Sequence, residues 1–87
     1  MNDDAKISFP CDYPIKIVGM HTDDFVDRVT MIVRQHVTEL VPEKVTVRMS
    51  RNDRYCSVTC NIVATGELQL QAINKALQAD PAVSMVL

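Results

Sequence analysis

Hydrophobic and polar positions alternate along several stretches of this chain and recur at helical spacing along two others. Tyr13, Ile15 and Ile17 alternate with Pro14 and Lys16, which predicts a strand over residues 12–19. Pro14 has no N–H and belongs near the start of that strand, and Gly19 ends or bends it. Phe25, Val29, Ile32, Val33, His36 and Leu40 then recur every three or four residues, the mark of one buried helical stripe. Thr22 is the expected N-cap, Asp23 and Asp24 suit the positive end of the helix dipole, and Pro42 is the expected stop.

The alternation resumes in the second half. Val45, Val47 and Met49 alternate with Lys44, Thr46 and Arg48; Asn52-Asp53 makes a turn. Cys56, Val58, Cys60, Ile62 and Ala64 alternate with Tyr55, Ser57, Thr59 and Asn61. Together these stretches predict a hairpin with one apolar and one polar face. Thr65 is placed to cap a second helix, whose stripe is Leu70, Ile73, Ala76 and Leu77 and whose end is Asp80-Pro81. Residues 83–87 form a short apolar final strand, expected at a sheet edge where it invites a partner strand or a cover.

The order is therefore β-α-β-β-α-β. Right-handed crossovers place both helices on one face of an antiparallel sheet with strand order 4-1-3-2. The expected fold is α+β, a ferredoxin-like two-layer sandwich over residues 12–87. Residues 1–11 have no clear period, and Phe9-Pro10 suggests a segment packed on the domain surface. The sheet face turned away from the helices is expected to carry Lys16, Val18, Thr46, Arg48, Ser57, Thr59, Asn61, Ser84 and Val86.

Size and charge narrow the function classes. At 87 residues the chain is one domain with little room for an internal pocket. A ligand would lie in a surface groove or between subunits. Net charge is −2 and no long basic run occurs, so the case for nucleic acid or an anionic membrane is weak. The apolar runs are too short to span a bilayer. The acidic start, Met1-Asn2-Asp3-Asp4, does not resemble a secretory signal. A cytoplasmic protein with reduced thiols is the expectation.

The chemistry-bearing residues mostly have structural explanations. Cys56 and Cys60 would lie roughly 13 Å apart on one strand. That is too far for one zinc ion or for a disulfide, so they read as core thiols. Cys11 lies outside the core elements beside the acid Asp12, with no basic neighbour to favour its thiolate, and reads as inert. His36 falls on the helical stripe and reads as a partly buried structural histidine. Ser57 and Thr59 have no base and orienting acid near them in sequence, and two glycines cannot make a phosphate loop. An RNA-recognition sheet would need aromatic residues on its open face, where the third strand offers only Tyr55. No enzyme, no cofactor and no metal are expected.

Two candidate contact regions remain. The first is the strand-to-helix loop with Gly19, Met20, His21, Asp23 and Asp24, since such junctions present free backbone N–H groups. The second is the open sheet face around Lys16, Arg48 and Tyr55.

The segment Phe9-Pro10-Cys11-Asp12-Tyr13-Pro14-Ile15-Lys16-Ile17-Val18-Gly19 resembles the opening of the YbeD-like family of small bacterial proteins. Tyr55, Ser57-Val58 and the ending Val83-Ser84-Met85-Val86-Leu87 are similar to the same family. The resemblance implies a ferredoxin-like fold akin to the ACT-type regulatory domains of amino-acid metabolism, a cytosolic location and no established activity. It also implies an association with lipoate-attachment enzymes, beside which some members are encoded. ACT domains bind ligands near a glycine after the first strand, between paired domains; Gly19-Met20-His21 holds that position by analogy. The expected function is a regulatory or adaptor domain that binds a small metabolite or a protein partner, with a homodimer as one arrangement. The alternative is a pure protein–protein interaction module that uses the open sheet face.

Overall fold

A computed structural model describes residues 8–37 and 39–87. Its elements are β1 (Cys11–Met20), α1 (Phe25–Arg34), a 3-10 turn (Pro42–Lys44), β2 (Val45–Met49), β3 (Tyr55–Ala64), α2 (Glu67–Gln78) and β4 (Val83–Val86). The strands form one antiparallel sheet in the order β2-β3-β1-β4, and the two helices cover one face, making a ferredoxin-like α+β sandwich. Among the described residues, no helix is long and apolar enough to cross a membrane.

Alternation decides which face is buried. In the long central pair, Ile15 and Ile17 of β1 and Cys56, Val58, Cys60, Ile62 and Ala64 of β3 point to the helices and are buried. Phe25, Val29 and Val33 of α1 and Ile73 and Leu77 of α2 close over them. Phe9, Cys11 and Tyr13 pack against the edge of this core, whereas residues 1–7 of the expected N-terminal segment lie outside the described residues. The tip of the β2–β3 hairpin places Asp53 at φ 57°, and the Asn52 side chain accepts the Arg54 N–H. Asp is among the few non-glycine types that visit that left-handed region.

Several local expectations are corrected. Helix α1 ends at Arg34, so His36 and Leu40 are not helical. Leu40 still reaches the core from the following loop, held by its carbonyl accepting from Arg34 Nε at 3.1 Å. A residue at helical spacing can thus fill its place in the core from a loop. Thr22 is not the N-cap; that position is Asp24, and the Thr22 hydroxyl instead donates to the Asp24 carboxylate at 2.9 Å. The Thr22 carbonyl accepts the Phe25 N–H, so the chain turns before the helix starts.

Thr65 likewise does not cap α2, which has Gly66 at its N-cap. Gln69 binds there instead: its Oε1 accepts the Thr65 N–H at 2.8 Å and its Nε2 donates to the His36 carbonyl at 2.9 Å. One side chain therefore ties the start of α2 to the loop after α1.

The final strand differs in register. Val86 pairs with Ile17 and Val18 with Met85, but Gly19 pairs with Val83, which leaves Ser84 as an extra residue in a bulge. A bulge resets the alternation. Val86 consequently packs on the helix side, and Met85 takes the open-face position that simple alternation assigns to Val86.

Candidate interaction surface on the open sheet face

Strand register builds the open face in rows. Arg48, Ser57, Val18 and Met85 run side by side across all four strands. Below them Thr46, Thr59 and Lys16 form a second row, and above them Met20 lies directly opposite Tyr55. Same-face neighbours on paired strands are close enough to act as one surface. Met20, Tyr55 and Met85 are 53%, 43% and 50% exposed. A shallow groove of about 320 Å³ crosses this corner between Lys16, Val18, Arg48 and Tyr55.

The face is cationic at its centre. The ion pairs among the described residues are Arg28–Asp24 and Arg28–Asp80, and neither involves Lys16 or Arg48. On the rows that hold these two cations the neighbouring side chains on β3 and on the facing strands are hydroxyls and apolar groups, and Lys16 pairs on its other side with the main chain of Leu87. Arg and Tyr are among the residue types enriched at the hot spots of protein interfaces.

The loop candidates are divided by the structure. Gly19 is a buried strand residue, not a loop residue; a Cβ there would lie 2.5 Å from Phe25 Cε1 and would also strike the Ala82 carbonyl. Met20 belongs to the open face. The His21 N–H donates to the Arg54 carbonyl at 2.9 Å, and the Phe25 N–H is taken by Thr22. These two backbone donors are therefore bonded rather than free as the loop reading expects. Asp23 and Asp24 are exposed, and Asp24 lies 3.6 Å from Arg28.

The three thiols are free. Burial pushes both Cys56 and Cys60 upward, Cys60 to about 11, with Arg34 pulling the other way on Cys60. Among the described residues no three His, Cys, Asp or Glu side chains group closely enough to hold a metal ion. The Cys60 shift has a consequence for stability. Between the ordinary thiol value of 9.0 and about 11, the unfolded chain gives up a proton that the folded chain keeps. Stability therefore falls as pH rises through that window, by up to about 1.4 kcal/mol per pH unit. Urea unfolding from pH 8 to 10.5 should show a steeper alkaline loss in wild type than in Cys60→Ala. Equal slopes would mean the thiol is not desolvated.

Residues 4–87 match the family model described as a protein of unknown function, DUF493. A UPF0250 protein of Nitrosomonas europaea is 39% identical over 87 residues, covering 100% of both chains. A UPF0250 protein of Azotobacter vinelandii is 45% identical over 83 residues, covering 94% of this chain and 90% of its own. The solution structure of protein HP0495 from H. pylori superposes with a TM-score of 0.70 over 100% of this chain and 94% of that one. At 14% identity that likeness concerns the fold alone.

Proposed function

The chain belongs to the DUF493 family of small bacterial proteins, a family of unknown function, and we propose that this member is a non-catalytic adaptor that binds a partner protein through its open sheet face. The observation that carries the reading is the corner where Met20, Tyr55, Val18 and Met85 meet Lys16 and Arg48, two cations outside every ion pair of the described residues. The segment that fits is acidic with apolar side chains: carboxylates for the two cations, and apolar groups for the groove beside Tyr55. In this reading the protein works in the cytoplasm as a regulatory or adaptor domain. The metabolite version, centred on the 19–24 loop, has less support, because Gly19 is packed beneath Phe25 and the His21 N–H is bonded.

The test is affinity purification from the native cells with wild type, Arg48→Glu, Tyr55→Ala and a control on the far side of the molecule, Lys75→Glu. A partner bound through this face should be recovered at least about tenfold less well with Arg48→Glu and Tyr55→Ala, a change worth about 1.4 kcal/mol. Recovery with Lys75→Glu should match wild type. Identical partners at identical yields from all four proteins would remove the open face from consideration.

A further inference from the structure

We infer that β2 is the seat of a second copy of this chain, joined edge to edge across a twofold axis through Val47. The two edges of the sheet are built differently. Strand β4 has four residues and a bulge at Ser84, both devices that discourage edge pairing. Strand β2 pairs with β3 in unbroken register over all five residues and carries no proline and no bulge. Its outer edge is the regular one.

The ladder shows which groups that edge presents. Ser50 N–H donates to the Tyr55 carbonyl at 2.9 Å, so Ser50–Tyr55 is a hydrogen-bonded pair. Bonded pairs alternate along an antiparallel ladder. Thr46 and Arg48 therefore bond inward to β3, while Val47 and Met49 turn their N–H and C=O groups outward. Val45 presents only its carbonyl, because its N–H is bonded to Pro42.

The side chains beside this edge are apolar and uncovered. Val47 is 43% exposed on the helix side of the sheet, and Met31 of α1 is 60% exposed. Between α1 and β2 runs a groove of about 440 Å³ lined by Val26, Met31 and Val45, with Asp27 and Arg34 also on it.

Self-complementarity points to a second copy as the occupant. The sequence Val45-Thr46-Val47-Arg48-Met49 alternates symmetrically about Val47. A twofold axis there sets Val47 against its mate, Val45 against Met49, and Arg48 against Thr46, so the two arginines do not face each other. It supplies about four new backbone hydrogen bonds. The two copies of α1 then run antiparallel on the same side of an eight-stranded sheet. Asp27 stands in the first turn of α1 and Arg34 in the last, so that arrangement brings the acid of each copy toward the base of the other. A self-complementary patch of this kind is what a closed twofold interface requires.

Sedimentation equilibrium of the full chain should give twice the 9.8 kDa chain mass at sub-millimolar concentration. Val47→Lys, which sets two ammonium groups against each other, should weaken the dimer at least a hundredfold while the circular dichroism spectrum stays that of wild type. In a Cys11→Ser background, Val47→Cys should cross-link to a covalent dimer under copper-phenanthroline oxidation. Its Cα atoms would stand about 5.5 Å apart, within disulfide range. Met85→Cys on β4 should not cross-link. A wild-type chain that sediments as a monomer at 1 mM, a dimer untouched by Val47→Lys, or cross-linking at Met85→Cys in place of Val47→Cys would each overturn the inference.

Discussion

Replacing Gly19 by alanine should destabilise the fold by about 1–3 kcal/mol, the usual cost of overfilling a packed core. The backbone conformation is not the reason, since Gly19 does not have positive φ. The reason is space. The new methyl would lie 2.5 Å from Cε1 and 2.6 Å from Cζ of Phe25, a ring only 1% exposed at the first position of α1. On its other side stands the Ala82 carbonyl, which is backbone and already accepts the Met20 N–H at 3.1 Å. Neither neighbour can swing away: the ring is wedged in the core, and moving the carbonyl breaks the junction of β1 with the approach to β4. For a domain of this size the cost corresponds to a melting temperature lower by roughly 4–8 °C per kcal/mol. Gly66→Ala is the control, because nothing lies within 4 Å of a Cβ there. Thermal melts of both variants would decide it, and a Gly19→Ala protein that melts with wild type would disprove the close approach.

This position also shows how far a sequence can be read. The alternation around Gly19 places the end of a strand, and the stripe beginning at Phe25 places a buried helix. Neither pattern says that the ring of Phe25 lies on Gly19, because that contact depends on the angle at which the chain turns through residues 21–24. The strand order and the central core were legible for a simple reason: Cys56, Val58, Cys60, Ile62 and Ala64 obey a two-residue period without exception, and all five are buried. The end of α1 was not legible, because Leu40 satisfies the helical spacing while sitting in a loop. The bulge at Ser84 was not legible either. It moves Val86 to the core and Met85 to the open face, and a strand of four residues is too short for its pattern to reveal an inserted one.

The candidate site was legible in part for the same reasons. Lys16 and Tyr55 share a face because each sits one step from buried neighbours in a regular strand, and Arg48 joins them because its register sets it against Ser57. The sequence pattern groups Met20 with the loop, but β1 runs one residue beyond Gly19 and sets Met20 opposite Tyr55. Simple alternation does not place Met85 on this face, because the bulge at Ser84 shifts its register. The contrast between the two sheet edges was invisible, since it needs the register of β2 on β3 and the position of α1 above it.

The second large effect is expected at Asp80, where Asp80→Ala should cost about 1.5–3 kcal/mol, the range for hydrogen bonds to a charged group with little access to water. Arg28 Nη2 donates to Asp80 Oδ1 at 2.6 Å and to Oδ2 at 2.7 Å, and the Ala82 N–H donates to Oδ1 at 2.9 Å. The Asp80 side chain is 9% exposed, against 41% for Arg28. Loss of the carboxylate therefore removes both Arg28 bonds and leaves the Ala82 N–H without its acceptor, while the guanidinium itself keeps water and Asp24 as alternatives. A partner 52 residues away leaves no local signature, and the sequence shows Asp80 only as the acid before Pro81. Asp80→Asn, which keeps an acceptor for Ala82 but loses the charge, should fall between wild type and alanine. Both large effects converge on one backbone unit, since the Ala82 N–H is held by Asp80 and the Ala82 carbonyl abuts Gly19. Once Asp80→Ala has loosened residue 82, the carbonyl can yield to a methyl at position 19. The double variant Gly19→Ala with Asp80→Ala should then lose less stability than the sum of the two, by 0.5 kcal/mol or more on the scale of about 0.5–3 kcal/mol for contacting residues. Urea unfolding of the four proteins would measure it. Strict additivity would mean that the two contacts are independent and that Ala82 does not link them.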